Sequence, residues 1–128
     1  MSAVRTPPRV LLVQQRTDDV EMYVEFFRAH RFTTIVVSTT EAALRTASEA
    51  DIMITEIQID NAESGIDLIK QLREDPHTRD IPIIVLTADA WETDRRRAEA
   101  AGCDLFLTKP CLPNELLRHA RLLLSRPR

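Results

Sequence analysis

Along this chain of 128 residues, five short apolar runs alternate with stretches in which apolar positions return every three or four residues. The runs are Arg9–Val13 (RVLLV), Phe32–Val37 (FTTIVV), Ile52–Thr55 (IMIT), Ile81–Leu86 (IPIIVL) and Leu105–Leu107 (LFL). Their aliphatic and β-branched content predicts strands. IPIIVL is apolar throughout, which predicts burial on both faces, as in a central parallel strand. Pro82 is then expected at its very start, where a missing donor is tolerated.

The intervening stretches predict helices. Asp18 and Glu21 have the spacing of a capping box, and Val20, Tyr23, Val24 and Phe27 form one stripe that stops around His30 and Arg31. A second, Ala-rich helix over Glu41–Ser48, with Thr40 as its cap, is expected to bury Ala43, Leu44 and Ala47. A third runs from about Ile66 to Glu74 with Ile66, Ile69 and Leu72 inward, and Asp75-Pro76 ends it. The fourth, Glu92–Ala101, is mostly Ala, Arg and Glu, with Gly102 suited to its C-terminal cap. Pro113 opens the fifth, whose stripe is Leu116, Leu117, Ala120 and Leu123.

Strand and helix alternate five times at spacings that fit right-handed crossovers. The fold class is therefore α/β, a three-layer αβα sandwich around a parallel sheet. In such sheets ligands meet the carboxyl ends of the strands. That makes the stretch 51–65 the centre of interest, because Ile52–Thr55 delivers Glu56 to this edge. The other strand ends bring Gln14 and Gln15, Thr87, and Lys109-Pro110. A carboxylate, a hydroxyl and an ammonium group are thus expected to converge.

Composition narrows the chemistry. Apolar residues make up 44% and charged residues 29%, with one Trp, one Tyr and four Phe, so the core is expected to be aliphatic. The net charge of −3 comes from intermingled acids and bases, which gives no basic face for nucleic acid. No apolar stretch approaches a membrane span, and a cytoplasmic location is expected. Two glycines in the whole chain leave no GxGxxG and no phosphate-cradling loop. His30, His77 and His119 lack ligand spacing. Residues 1–8 read as a flexible leader, 9–124 as one domain and 125–128 as a flexible tail. No output domain is visible after the fifth helix, and a stand-alone domain and an excised one are both expected readings.

At this point the sequence resembles the receiver domain of bacterial two-component response regulators, over nearly its whole length from Arg9 to about Leu124. The resemblance rests on IPIIVLTA (Ile81–Ala88), AGCDLFLTKP (Ala101–Pro110) and the strand ADIMITE, all in order and at the family spacing. It implies a flavodoxin-like (βα)5 fold with strand order 2-1-3-4-5. It also implies that position 56 is the phosphoacceptor, that Thr87 contacts the phosphoryl oxygen and that Lys109 neutralises its charge. Phe106 would be the aromatic that changes rotamer with the threonine, and Pro110 matches the motif.

Two departures weigh against the ordinary chemistry. The family acceptor is an aspartate, whereas Glu56 carries one more methylene. The family's Mg²⁺-holding acid pair is replaced by Gln14 and Gln15, whose neutral amides offset the desolvation of a hard cation poorly. No tightly bound Mg²⁺, no other cofactor and no catalytic residue are expected. Gly65 lies nine residues beyond Glu56, one more than the family spacing, and no Pro-Gly turn intervenes, so the loop is expected to be rebuilt with Asp60, Asn61 and Glu63 in solvent. A Glu56–Lys109 ion pair near Thr87 would then either hold one fixed conformation or merely let the two groups satisfy one another at a half-exposed edge.

The expected function is an atypical receiver that works by protein–protein contact in phosphorelay-type signalling. Its partner would be a histidine kinase or an output protein, with homodimerisation through helix 4, strand 5 and helix 5 as a further expectation. Trp91 and Phe106 are the candidate interface residues, although a lone tryptophan is more often partly buried. Arg95, Arg96 and Arg97, interspersed with acids, read as a solvated helix face, and Cys103 and Cys111 as ordinary thiols. Two alternatives stand beside this reading. One is a phosphorylatable switch with a non-standard acceptor site, and the other a flavodoxin-like ligand binder or enzyme.

Overall fold

The computed structural model describes residues 6–59, 63–88 and 91–127. Strands β1 (Arg9–Val13), β2 (Thr33–Val37), β3 (Ile52–Thr55), β4 (Ile83–Thr87) and β5 (Leu105–Thr108) form one parallel sheet in the order β2-β1-β3-β4-β5. Helices α1 (Asp18–Ala29), α2 (Thr40–Thr46), α3 (Gly65–Glu74), α4 (Glu92–Ala101) and α5 (Pro113–Leu124) connect them. A short 3₁₀ turn, Ala47–Glu49, follows α2.

The strand alternation sorts the core into two halves, because successive side chains point to opposite faces. Val10, Leu12, Ile52, Ile54, Ile84 and Leu86 meet the buried stripes of α1 and α5. Leu11, Val13, Met53, Ile83, Val85 and Phe106 meet Ala43 and Ala47, the apolar face of α3, and Ala98 and Ala101 of α4. α4 is thus held by two alanines and keeps a charged surface.

At the amino edge, two acids, the buried Asp51 and the exposed Asp104, hold neighbouring strands in register. Asp51 Oδ2 accepts from Arg9 N at 2.7 Å, and Asp104 Oδ2 accepts from Ile83 N at 2.8 Å. Arg73 extends this knot by donating to Gly102 O, Arg79 O, Ile81 O and Asp104.

Several local expectations are corrected. The capping box does not form: Thr17 takes the cap position, its hydroxyl bonds the Asp19 carboxylate, and Glu21 pairs with Arg16. Helix α2 is capped by Thr39, whose hydroxyl accepts from Ala42 N at 3.1 Å, and Thr40 is already helical. Leu44 is exposed, because α2 lasts only seven residues before tightening and turns a narrow alanine face inward. Pro82 precedes β4 and serves as an acceptor for Met53 N at 3.0 Å.

Candidate functional site

The register of the sheet assembles the carboxyl edge. Val13 pairs with Thr55, so Gln14 and Glu56 leave adjacent strands side by side. The amide of Gln14 donates to Val37 O at 2.9 Å and that of Glu56 to Val13 O at 3.1 Å, which carries the ladder one residue further. β4 extends past this level to Thr87, paired with Thr108, and Lys109 N donates to Thr87 O at 2.8 Å. Gln14, Gln15, Glu56, Thr87 and Lys109 therefore line one depression of about 280 Å³, together with Thr17, Gln58 and Ala88. Of the seven site positions singled out in the sequence these five meet here, whereas Phe106 and Pro110 do not line the depression.

The expected Glu56–Lys109 ion pair forms, but Lys109 has a second and closer partner. Glu56 Oε2 lies 3.7 Å from Lys109 Nζ, while Oε1 accepts from Ile57 N at 3.0 Å. Lys109 sits closer to Asp19 Oδ2, at 2.9 Å. Asp19 was not legible as a site residue, since it reads as one of several acids in the first turn of α1. β1 and β5 are not neighbours in the sheet, but α1 and α5 pack on the same face of it, so the start of α1 lies within reach of the Lys109 side chain. The Thr17 hydroxyl and, next, Lys109 hold the Asp19 carboxyl below the usual carboxylate range.

A depressed folded-state value means that this contribution to stability is present above the unfolded aspartate value, about 3.9, and is lost as pH falls through the lower folded one. A carboxyl-carbon NMR titration should accordingly show the Asp19 midpoint rising in both Thr17→Val and Lys109→Met. A midpoint unmoved by either substitution would show that these two contacts do not set it.

The rebuilt β3–α3 loop is anchored. Gln58 and Ser64 form an antiparallel bridge, Ile59 is buried in the α3-side core, and Ile59 N donates to Glu63 O at 3.2 Å. Gln15 Nε2 donates to Ile59 O at 2.7 Å, so this glutamine ties the loop to the end of β1. Glu63 is not simply solvated, because its carboxylate accepts from Thr40 N at 3.2 Å at the start of α2. Asp60 and Asn61 lie outside the described residues.

Gln14 is buried, and its Nε2 finds no hydrogen-bond partner among the described residues. A metal-holding cleft would instead be expected to turn carboxylate oxygens inward. Among the described residues no cluster of three or more His, Cys, Asp or Glu is arranged to hold a metal. The donor set of two neutral amides, one carboxylate bound to backbone and an ammonium group does not fit Mg²⁺.

Phe106, expected as an interface residue, is instead buried against the α3 and α4 core, and the Arg95 guanidinium lies 4.9 Å from its ring centroid. Arg95 is therefore not part of a solvated face, whereas Arg96 and Arg97 are exposed and pair with Glu92 and Asp94. Trp91 is 71% exposed, contrary to the expectation of partial burial, since it caps the amino end of the weakly apolar α4. Pro110 leads into Cys111, whose carbonyl accepts from the Tyr23 hydroxyl at 2.6 Å and so ties α1 to this loop. Burial pushes the Tyr23 phenol up to about 12 and the half-buried Cys103 thiol up to about 11, and it also raises Cys111. Neither cysteine has the lowered value of a reactive thiol.

No helix among the described residues is long and apolar enough to cross a membrane. The response regulator receiver domain family model matches residues 10–121. The phosphate regulon transcriptional regulatory protein PhoB of Escherichia coli is 30% identical over 120 residues, which cover 92% of this chain and 52% of PhoB. The chain thus spans about half the length of that relative. The polar-differentiation response regulator DivK of Brucella anthropi is 29% identical over 106 residues, covering 81% of this chain and 85% of DivK.

Among solved structures, a response regulator from Chloroflexus aurantiacus superposes with a TM-score of 0.85 at 26% identity, covering 94% of this chain and 99% of its own. The receiver domain of the sensor histidine kinase PA1611 from Pseudomonas aeruginosa, solved with magnesium in its active-site cleft, shares the fold with a TM-score of 0.83 at 24% identity, over 93% and 98% of the two chains. With the sheet order, the gathered strand ends and a family match over most of its length, this chain belongs to the response regulator receiver domains of two-component signalling.

Proposed function

We propose that this chain is an atypical receiver that is not phosphorylated by the Mg²⁺-dependent route and signals through protein contact from one fixed conformation. The observation that carries this reading is Lys109, bound between Asp19 at 2.9 Å and Glu56 at 3.7 Å. A lysine that would neutralise an incoming phosphoryl group is here already neutralised by two carboxylates of its own chain. Glu56 has its other oxygen engaged by backbone, which further opposes its use as an acceptor. Gln14, Gln15 and Glu56 offer two neutral amides and one carboxylate, a weak set for a hard cation.

The fixed state is supported by Phe106, packed in the core and capped by Arg95. Exposed Trp91 supports α4, β5 and α5 as the partner-binding face, because a large aromatic is the common anchor of an interface. Its partner would be a kinase or output protein of the same signalling class, working in the cytoplasm. A second copy docking on this face remains a further occupant. A depression of about 280 Å³ lies at the low end of ligand pockets, so a small-molecule enzyme gains no support.

The test is incubation of the chain with a small phosphodonor and Mg²⁺, followed by intact mass. The expected result is unmodified protein; a stoichiometric phosphoryl adduct would overturn the proposal and favour the phosphorylatable alternative.

A further inference from the structure

We propose that the amino edge of the sheet carries a binding site for a small carboxylic acid with an apolar tail, its carboxylate held by Arg31 and Arg121. Strands β1 and β2 begin at this edge, so the site lies at the opposite end of the sheet from Glu56. A cavity of about 720 Å³ opens there between the end of α1, the start of β2 and the end of α5. That volume falls within the range of small-molecule pockets, roughly 300–1,000 Å³. The depression beside Glu56 holds about 280 Å³.

The cavity has apolar walls and a basic rim. Pro8, Phe32 and Leu124 supply apolar surface, and the buried Phe32 ring is braced edge-on by Phe27, with centroids 5.1 Å apart. His30, Arg31 and Arg121 line the same cavity, and no Asp or Glu does. Arg31 and Arg121 are exposed, and neither enters an ion pair among the described residues.

The backbone fixes Arg31 at a position that the fold by itself would give to glycine. Arg31 N donates to Arg28 O at 3.1 Å and Phe32 N to Phe27 O at 3.0 Å, the pair of bonds that closes a helix around one left-handed residue. That residue is Arg31, with a φ of +70°. Glycine is its usual occupant, because a Cβ is disfavoured there. Helix closure therefore does not call for this side chain, and its guanidinium group is available to the cavity.

These features select the ligand. A carboxylate meets a guanidinium group through two parallel hydrogen bonds, while an aliphatic tail covers Phe32 and Leu124. A neutral apolar molecule gains only the second of these contacts, and an amine is repelled by both arginines. The site stands apart from Glu56, so it does not depend on whether that residue is phosphorylated.

Calorimetric titration of the full chain with decanoate, kept below its aggregation concentration, tests this. Saturable binding is expected, with decanol roughly tenfold weaker or more and decylamine weaker still. Amide NMR shifts should move around Phe32 and Leu124. Arg121→Glu should weaken decanoate roughly tenfold or more, and Leu124→Asp should weaken it as well. Arg31→Gly should also weaken it without lowering the urea midpoint, since glycine suits the backbone there; this separates loss of the cation from loss of the fold. Arg45→Glu, on the exposed side of α2, should leave binding unchanged. Absence of decanoate binding would overturn the proposal, as would decanol or decylamine binding equally well. So would binding that is indifferent to Arg31→Gly and Arg121→Glu, or that falls as far in Arg45→Glu.

Discussion

The triple substitution Gln14→Asp, Gln15→Asp and Glu56→Asp is expected to let the chain bind Mg²⁺ and accept a phosphoryl group, whereas Glu56→Asp alone is expected to do neither. Two charges brought within 4 Å of one another at an effective dielectric near 20 interact by about 4 kcal/mol per unit pair. Even if desolvation leaves only about 1.4 kcal/mol for each restored acid, that is tenfold apiece, or roughly a hundredfold in Mg²⁺ affinity from positions 14 and 15 together. The single variant gains neither charge. It also leaves Lys109 bound to Asp19 at 2.9 Å, so the group that would meet the phosphoryl oxygens stays occupied. Adding Asp19→Asn to the triple variant should therefore raise the yield of adduct further.

Calorimetric Mg²⁺ titration and intact mass after exposure to a phosphodonor read both quantities. Tight binding and an adduct in Glu56→Asp alone would show that the glutamate, and not the amide pair or Asp19, silences the site. The triple variant carries one structural cost, because Gln15 also donates to Ile59 O at 2.7 Å. An aspartate there lacks the donor, and the loop should become more open to hydrogen exchange around Ile59.

Gly65→Ala is expected to be the most damaging conservative change in the chain. A Cβ on Gly65 would lie 2.0 Å from the Glu56 carbonyl oxygen and 3.1 Å from its carbon. Backbone cannot rotate out of the way as a side chain can, and Gly65 N is bonded to Ile57 O at 2.6 Å, which pins the approach. The start of α3 must move or the end of β3 must, and either shift breaks the ladder beside the site. A loss of about 3 kcal/mol or more is expected, visible as a lowered midpoint in urea unfolding at unchanged slope.

Gly102→Ala is the useful comparison. It meets only the flexible Arg73 side chain, at 3.0 Å, and incurs the strain of a φ of +116°. Its cost should be smaller, about 1–2 kcal/mol. Equal effects at the two glycines would show that the close crossing at Glu56 is relieved by movement of the loop.

Sequence by itself determined the layers and the edge. Period-two and period-3.6 patterns are properties of the local chain, and they placed five strands, five helices and three of the four helical stripes read from them, because burial of an apolar face is specified by spacing alone. The helix that failed in part is α2, where Leu44 points outward because an alanine face and a short length carry little periodic signal. Gln14, Gln15, Glu56, Thr87 and Lys109 were legible for the same reason as the strands, since each sits at or just after a strand end.

What only the tertiary structure decided is which charge answers which. Asp19 reaches Lys109 across the start of α1 and the end of β5, ninety residues apart in the chain, and no local pattern marks that meeting. Glu63 turning to the start of α2, Arg95 lying on Phe106 and Trp91 standing free are likewise products of how the layers pack. Ion pairs and polar contacts depend on distances of a few ångströms between elements remote in sequence. The hydrophobic pattern brings those elements together without saying which polar groups on them will touch.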